Sequence, residues 1–368
     1  SENICYVHVA LVPHIATAGE LKSKPVQHSV KELRTVGIAP DIILCRADRA
    51  LPKALKAKIS LFCNVDDDAV ITARDVDTIY EVPLCLHKEG LDDKIVRRLN
   101  MWTGQPELSK WEELVRKVRN PKREINIAMV GKYVDLTESY KSMNEALYHA
   151  GYAHDAKVNI TYFDSEKLDD PSVLAKMDGI LVPHGFGSRG VEGKVCAVEY
   201  ARTEGIPFLG ICFGMQVATI EFARNVAGLD DANAVEVNED TPHPVIDLMP
   251  EQRGLESKGA NMRLGAYPCV LKKGTKAYAA YGTTEISERH RHRYEFNPEY
   301  RERLEKAGLV MSGTSPDGRL VEIIEIPDHP WFVATQFHPE FKSRPFEPHP
   351  LFEAFIGATV AGQTPTKE

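Results

Sequence analysis

One stretch of the sequence, Pro207-Phe-Leu-Gly-Ile-Cys-Phe-Gly-Met-Gln216, restricts the possible folds more than any other. Residues 207–211 predict a short buried strand, and residues 215–222 predict an apolar helix. Cys212 therefore lies on a sharp strand-to-helix turn, with a glycine two residues away on each side to give the backbone room. Such a turn presents its side chain at the carboxyl end of a parallel sheet, where ligands bind.

The position of Cys212 also suits a nucleophile. The amino-terminal end of the following helix carries partial positive charge, which favours a thiolate over a thiol. The amide of Phe213 would then be free to donate a hydrogen bond to an oxyanion. A buried structural cysteine beside a glycine-rich turn is the alternative interpretation, because short motifs also arise by chance.

A second motif follows a late predicted strand, in Phe332-Val-Ala-Thr-Gln-Phe-His-Pro-Glu340. Alternation along a strand is expected to put the side chains of His338 and Glu340 on the same face. Cys212, His338 and Glu340 together make a nucleophile, a base and a residue that orients the base. The thiolate would attack an amide or ester carbonyl, after which His338 protonates the leaving group and activates water.

Composition limits the remaining possibilities. The chain has 368 residues, enough for two domains, and its net charge of −8 argues against nucleic-acid binding. Seven cysteines without a CxxC pair indicate reduced thiols and a cytoplasmic protein. No apolar run reaches the length of a membrane span, so no membrane association is expected. The abrupt start at Ser1 suggests a fragment of a longer protein.

Strands and helices alternate along the sequence, which predicts an α/β protein with two doubly wound, mostly parallel sheet units. The first unit is expected at residues 1–118 and the second at residues 124–368. Residues 119–123 would end a polar linker that begins near residue 103 and is marked by charge, proline and glycine.

Two segments of the chain are rich in basic residues. Lys22, Lys24 and Gln27 lie on a predicted loop stiffened by a proline, and they could hold phosphates and a base edge; a solvated polar loop is the alternative. Residues 288–295 alternate arginine and histidine. The segment could be a metal site, a nucleic-acid patch or a set of anion-binding arginines. A metal site is disfavoured because the histidines have no recognised ligand spacing, and nucleic-acid binding because the rest of the surface is acidic. We predict no metal site in this chain.

The motifs around Cys212 and His338 resemble those of the class I, or triad, glutamine amidotransferases, whose domain is flavodoxin-like. Five further stretches resemble the CTP synthase family in particular. Among them, Lys22–Gln27 is similar to that family's Lys-Thr-Lys-Pro-Thr-Gln pyrimidine-nucleotide loop. These stretches are Gly185–Lys194, Met262–Gly265, Glu288–Glu295, Lys22–Gln27 and the segment around Lys58.

The resemblance implies an enzyme that hydrolyses glutamine in one domain and sends ammonia to the synthetase, or amidoligase, domain. There UTP would be phosphorylated by ATP with Mg²⁺ and aminated to CTP. GTP would be the allosteric effector, CTP an inhibitor and a homotetramer the expected assembly. The implied glutamine contacts are Gly185, Phe213, Gln216, Glu236 and Arg293; the UTP/CTP contacts are Lys22, Lys24, Gln27 and Lys58; the GTP contacts are Phe186 and Arg189.

The sequence also departs from the family pattern. His184 stands where the family usually has glycine, so a positive φ there would be strained. We expect the amide of His184 or Gly185 to complete the oxyanion hole, with the His184 side chain turned away. Ala234 and Val235 remove two hydroxyl groups beside Glu236, and Gly259-Ala-Asn-Met262 replaces Gly-Gly-Thr-Met.

The largest expected departure is an absence. No P-loop motif occurs in the sequence, so we expect the family's amino-terminal P-loop part, with its ATP and Mg²⁺ ligands, to be missing. The chain alone would then perform only the glutamine half-reaction. A stand-alone Cys-triad hydrolase or peptidase and a non-catalytic assembly module are the alternatives from other functional classes.

Overall fold

Short apolar runs form the strands of two separate units, and amphipathic segments form the helices that cover them. The computed structural model describes residues 3–17, 19–132, 137–248 and 262–363. The chain divides into units of residues 1–120 and 121–368, so the division falls inside the predicted linker at residues 119–123. No helix in the described ranges combines the length and apolar character that a membrane crossing requires.

The first unit is built on a parallel sheet of three strands in the order β1-β4-β5. Helices α1 and α2 pack on one face through Val26, Val30 and Ile59. Helices α3 and α4 add Leu86 and Leu91 to a smaller core. The elements are β1 Val7–Leu11, β2 His14–Ile15, β3 Glu20–Leu21, α1 Lys24–Thr35, β4 Ile42–Ala47, α2 Lys53–Cys63, β5 Val70–Arg74, α3 Val82–Lys88, α4 Leu91–Arg98 and α5 Ser109–Arg119.

The segment predicted as a nucleotide-binding loop is partly helical. Helix α1 begins at Lys24, and Pro25 fits its first turn because proline needs no hydrogen-bond partner there. Lys24 and Gln27 therefore project from a helix, so the prediction that they lie on a loop was wrong. Lys22 alone precedes the helix, next to the β2–β3 hairpin.

The second unit contains a sheet of nine strands in the order β13-β12-β15-β16-β17-β9-β8-β6-β7, and a small sheet β10-β11-β14. Its elements are β6 Arg123–Gly131, α6 Lys141–Ala153, β7 Ala156–Asp164, β8 Gly179–Val182, α7 Val191–Glu204, β9 Phe208–Ile211, α8 Phe213–Asn225, β10 Asn233–Ala234, β11 Pro244–Asp247, β12 Arg263–Leu271, α9 Lys276–Tyr281, β13 Glu285–His292, β14 Glu295–Phe296, α10 Arg301–Lys306, β15 Val310–Thr314, β16 Val321–Glu325, β17 Phe332–Thr335 and α11 Pro350–Gly362.

The centre of the large sheet has the topology that positions a site. Strands β7, β6, β8, β9 and β17 are parallel neighbours, and β16, β15, β12 and β13 extend the sheet in antiparallel pairing. Helices α7 and α8 contribute to the core on one face, and α6 and α11 to the core on the other. The predicted α/β fold, with parallel strands at the centre of each unit, is confirmed.

The turn after β9 is held by close backbone packing. A methyl group on Gly214 would lie 2.1 Å from the carbonyl oxygen of Val182, and one on Gly210 would lie 2.8 Å from Ala334 Cβ. The glycines thus allow α8 to approach the sheet. The unusual conformation belongs to Cys212, whose φ of 55° and ψ of −102° lie outside the common regions.

We expect Gly214→Ala to destabilise the second unit by about 1–3 kcal/mol, because the new methyl group meets backbone that cannot rotate away. The midpoint of urea unfolding measures this loss. Gly362→Ala is the matched control, since that glycine has no atom within 4 Å of the new methyl position and no positive φ. Equal midpoints for the two variants would contradict the packing argument.

Candidate active site

The carboxyl ends of the parallel strands meet at one edge of the large sheet. The loop after β8 begins with His184, the turn after β9 is Cys212, and the loop after β17 carries His338. A cavity of about 800 Å³ opens at this edge. Eight residues predicted for the site line it: Gly185, Phe186, Cys212, Phe213, Gln216, Glu236, Arg293 and His338.

His338 and Glu340 form a buried hydrogen-bonded pair. His338 Nδ1 lies 2.8 Å from Glu340 Oε1, and both side chains are almost fully buried. Strand β17 ends at Thr335, and Glu340 lies in a 3₁₀ turn, Pro339–Lys342. The prediction that strand alternation aligns the pair was therefore wrong, because a turn brings the two side chains together.

The geometry leaves one imidazole nitrogen for the thiol. His338 Nε2 is buried and has no hydrogen bond of ordinary geometry among the described residues. Burial alone would lower the pKa of His338, but interactions with Cys212 and Glu340 outweigh it and raise the pKa to about 10. A cationic His338 next to Cys212 is the arrangement that a thiolate nucleophile requires.

Two backbone amides are candidates for an oxyanion hole. Phe213 is the first residue of α8, so its backbone N–H has no partner within the helix. Gly185 lies close by, since a methyl group added to it would be 3.6 Å from Phe213 Cδ1. Both residues line the cavity, and their roles as donors stay predictions.

His184 differs from its prediction in two respects. It has no positive φ, so the expected strain at this position is absent. Its ring, however, is not turned away: it packs edge-on against His338, with ring centroids 5.4 Å apart, and against Tyr140 at 5.9 Å. Burial lowers the pKa of His184 to about 4, so a neutral imidazole lines the cavity beside the base.

Glu236 and Arg293 bring opposite charges to the cavity. Glu236 follows β10 and accepts a hydrogen bond from the Gly187 amide at 3.1 Å. Arg293 lies between β13 and β14, and its Nε is buried without a hydrogen-bond partner among the described residues. A carboxylate and a guanidinium in one cavity match the ammonium and carboxylate of an α-amino acid. Residues 259–261, where the sequence differs from the family pattern, lie outside the described residues.

Gln216 links the cavity wall to the nucleophile. Its Nε2 donates to Tyr294 O at 3.2 Å and to Gln336 Oε1 at 3.3 Å, and Gln336 Nε2 lies 3.8 Å from Cys212 Sγ. Sequence reasoning missed Gln336, although it stands two residues before His338. Gln336 follows the end of β17 and is fully buried, and only the fold places its amide beside the thiol.

The histidines of residues 288–295 have a structural position that the sequence did not reveal. His290 and His292 are buried and lie 2.8 Å apart, Nδ1 to Nε2. Arg263 bridges Glu295 and Glu322 at 3.3 and 2.9 Å in the same region. Burial raises the pKa of Glu295 to about 8 despite Arg263. No group of three or more side chains within the described ranges could hold a metal ion.

The predicted nucleotide contacts lie in the first unit. Lys22 pairs with Glu20, and both Lys22 and Lys58 lower the pKa of that carboxyl group, so the two lysines share one neighbourhood. Lys24 is exposed at the start of α1, and Gln27 Nε2 donates to Ser23 Oγ at 3.0 Å. These positions form a basic surface at the amino-terminal end of a helix, and their role stays a prediction.

The predicted effector contacts lie at the mouth of the cavity. Phe186 is 65% exposed, with Lys132 Nζ 4.7 Å from its ring centroid. Arg189 is also exposed and pairs with Glu166 at 3.2 Å. Phe186 lines the cavity, whereas Arg189 is not among its lining residues.

Two family models match the chain. The model described as glutamine amidotransferase class-I matches residues 135–358, and the model described as CTP synthase N-terminus matches residues 1–101. Because the second match covers the front of the chain, the prediction that the family's amino-terminal P-loop part is missing is not confirmed.

Similar proteins agree with these matches. A CTP synthase of Syntrophus aciditrophicus is 59% identical over 98% of this chain and 67% of its own length. One from Carboxydothermus hydrogenoformans is 60% identical over 98% and 68%. This chain thus spans about two thirds of the length of these relatives. The solved glutaminase domain of Trypanosoma brucei CTPS with bound acivicin is 40% identical, with a TM-score of 0.61, over 65% of this chain and 95% of that one.

We expect Cys212→Ala to lower the pKa of His338 from its raised value of about 10. Burial lowers this pKa, and in the variant only Glu340 would still raise it. Imidazole NMR signals followed from roughly pH 6 to pH 10 measure the change. His292 is an internal control, since burial lowers its pKa to about 3 and keeps it neutral throughout. An unchanged titration of His338 would show that the thiol is not its partner.

Proposed function

The chain belongs to the CTP synthase family, and we propose that its second unit hydrolyses glutamine to glutamate and ammonia through Cys212, His338 and Glu340. The observation that carries this proposal is the shared cavity. Nucleophile, base, oxyanion-hole candidates and both amino-acid-binding charges line it within one unit.

The chemistry proposed for the site proceeds through a thioester. Cys212 Sγ attacks the side-chain carbonyl carbon of glutamine, and the oxygen that becomes negative accepts hydrogen bonds from the amides of Phe213 and Gly185. The imidazolium of His338 gives its proton to the amide nitrogen, so the C–N bond breaks and ammonia leaves. Neutral His338 then takes a proton from water, and the resulting hydroxide attacks the thioester. Glutamate leaves and the thiolate is restored.

Glu340 acts through His338 in this scheme. Its hydrogen bond to Nδ1 fixes the ring orientation and directs Nε2 toward sulfur. Glu236 would bind the α-ammonium of glutamine, and Arg293 its α-carboxylate, which selects an amino acid over a peptide because both termini must be free. Gln216 supports the cavity wall through its two hydrogen bonds.

For the whole family reaction, we propose that ammonia aminates UTP to CTP, with Lys22, Lys24, Gln27 and Lys58 contacting the pyrimidine nucleotide. Exposed ammonium groups at the start of α1 suit phosphates. ATP would supply the phosphoryl group that activates UTP, and Mg²⁺ would neutralise its phosphates. The sequence has no P-loop motif and the described residues include no metal cluster, so we derive no step through either group.

The remaining expectations are regulatory and cellular. GTP would act as the effector through Phe186 and Arg189, CTP would inhibit, and the assembly would be a homotetramer in the cytoplasm. That this chain carries out only the glutamine half-reaction stays a prediction. An assay of CTP formed from UTP, ATP, Mg²⁺ and ammonia tests it, because ammonia bypasses Cys212. CTP formed in that assay would contradict the prediction.

We expect acivicin to label Cys212, and Cys212→Ala to abolish both the label and glutamine hydrolysis, by about 10³-fold or more in kcat. Peptide mapping and a glutamate assay measure the two effects. Cys196→Ala is the control and should retain both, because burial raises the pKa of that thiol and no histidine activates it. Label found mainly on another cysteine, or peptide cleavage without glutamine hydrolysis, would overturn the proposal.

We expect Glu236→Gln to raise KM for glutamine about 10- to 100-fold with little change in kcat, since a charge-assisted hydrogen bond to the α-ammonium is lost. Glutaramate, which lacks the α-amino group, should be hydrolysed equally by the variant and the parent chain. Glu302→Gln, at a side chain 81% exposed, is the matched control. Equal losses with glutamine and glutaramate would show that Glu236 serves only the loop around Gly187.

A further inference from the structure

A buried lysine that the triad chemistry does not use lies next to the candidate oxyanion hole. Lys194 stands in the first turn of α7 and is only 1% exposed. That turn is pressed against the neighbouring loop, because a methyl group on Gly193 would lie 2.0 Å from the carbonyl oxygen of Ser165. The helix therefore has no room to rotate, and the Lys194 side chain extends into the interior of the unit.

The ammonium group lies behind the residues predicted to bind the oxyanion. Lys194 Nζ is 4.8 Å from the centroid of the Phe213 ring. It would be 3.1 Å from a methyl group added to Gly185. The cation therefore contacts the same two residues whose amides are the candidates for the oxyanion hole.

No carboxylate among the described residues pairs with this ammonium group. Among residues 3–17, 19–132, 137–248 and 262–363, Lys194 forms no ion pair, and its ammonium donates no hydrogen bond of ordinary geometry. The face of the Phe213 ring gives partial compensation. Burying an unpaired ammonium destabilises a folded chain, and an apolar side chain of similar size would pack at lower cost.

The charged groups that face Lys194 come from three other elements. Burial and the nearby Lys132, after β6, together lower the pKa of Lys194 to about 7, although Cys212 opposes them. The charge of Lys194 also contributes to the lowered pKa of His184, which lies in the loop after β8. Negative charge on Cys212 or on the bound carbonyl oxygen is therefore the natural partner of this ammonium.

We propose that Lys194 is a positioning residue for glutamine hydrolysis, whose buried positive charge stabilises the Cys212 thiolate and the oxyanion formed from it without touching the substrate. This inference rests on the proposed function of the site. A positive charge in a water-poor site acts strongly on negative charge that develops beside it. The destabilising charge is then retained because it accelerates the chemical step.

The test is Lys194→Met in the full chain, which keeps the length of the side chain against Phe213 and removes its charge. We expect kcat for glutamine to fall about tenfold or more, with KM changed less than about twofold. The pH midpoint for alkylation of Cys212 by iodoacetamide should move upward by about one unit. The urea midpoint should stay equal or rise, because an unpaired buried charge has been removed.

Lys306→Met is the matched control, since it removes one positive charge at a side chain 74% exposed on α10. It should change none of the three measurements. Lys194→Leu replaces the first variant if that variant fails to fold. An unchanged kcat and alkylation midpoint, or an activity loss that accompanies a lowered urea midpoint, would overturn the proposal. Absence of glutamine hydrolysis by the parent chain would instead reject the proposed function, while the alkylation profile still tests the lysine.

Discussion

The backbone contact between α8 and the strands beneath it is the constraint on which the rest of the site depends. Gly214 approaches the Val182 carbonyl so closely that no side chain fits between them. The Cys212 amide donates to Thr335 O at 2.6 Å, which ties the turn to the end of β17. Because β8, β9 and β17 are parallel neighbours, this one junction brings the loops of His184, Cys212 and His338 together.

The site is also organised by charge in a buried environment. His338 is held cationic by Cys212 and Glu340, although burial opposes that state. Lys194 adds a buried ammonium group whose pKa is lowered to about 7, whereas the ring of His184 stays neutral beside His338. Such an arrangement stabilises one thiolate and one oxyanion, and the same charges would weaken the fold if no anion formed there. The net charge of −8 for the whole chain says nothing of this local balance.

Much of the site could be predicted from short segments, because its chemistry is carried by residues within single loops. The strand-to-helix turn at Cys212 and the His338–Glu340 pair were identified from spacing alone, and the structure brings them together. The errors concern local conformation. Pro25 stabilises a helix start and not a loop, and a 3₁₀ turn replaces the strand expected at Glu340. Pro25 is compatible with a loop and with a helix start, and Pro339 with a strand end and with a 3₁₀ turn, so packing decides between the alternatives.

By itself, the sequence determined the alternation of strands and helices, the nucleophile with its base and orienting carboxylate, and the resemblance to one enzyme family. These depend on periodicity and on residue types at short spacing. Only the tertiary structure decided that Gln336 contacts the thiol, that the ring of His184 packs on His338, and that Lys194 is buried behind Phe213. Each of these contacts joins residues that are far apart in the sequence, and no local pattern encodes the distance between them.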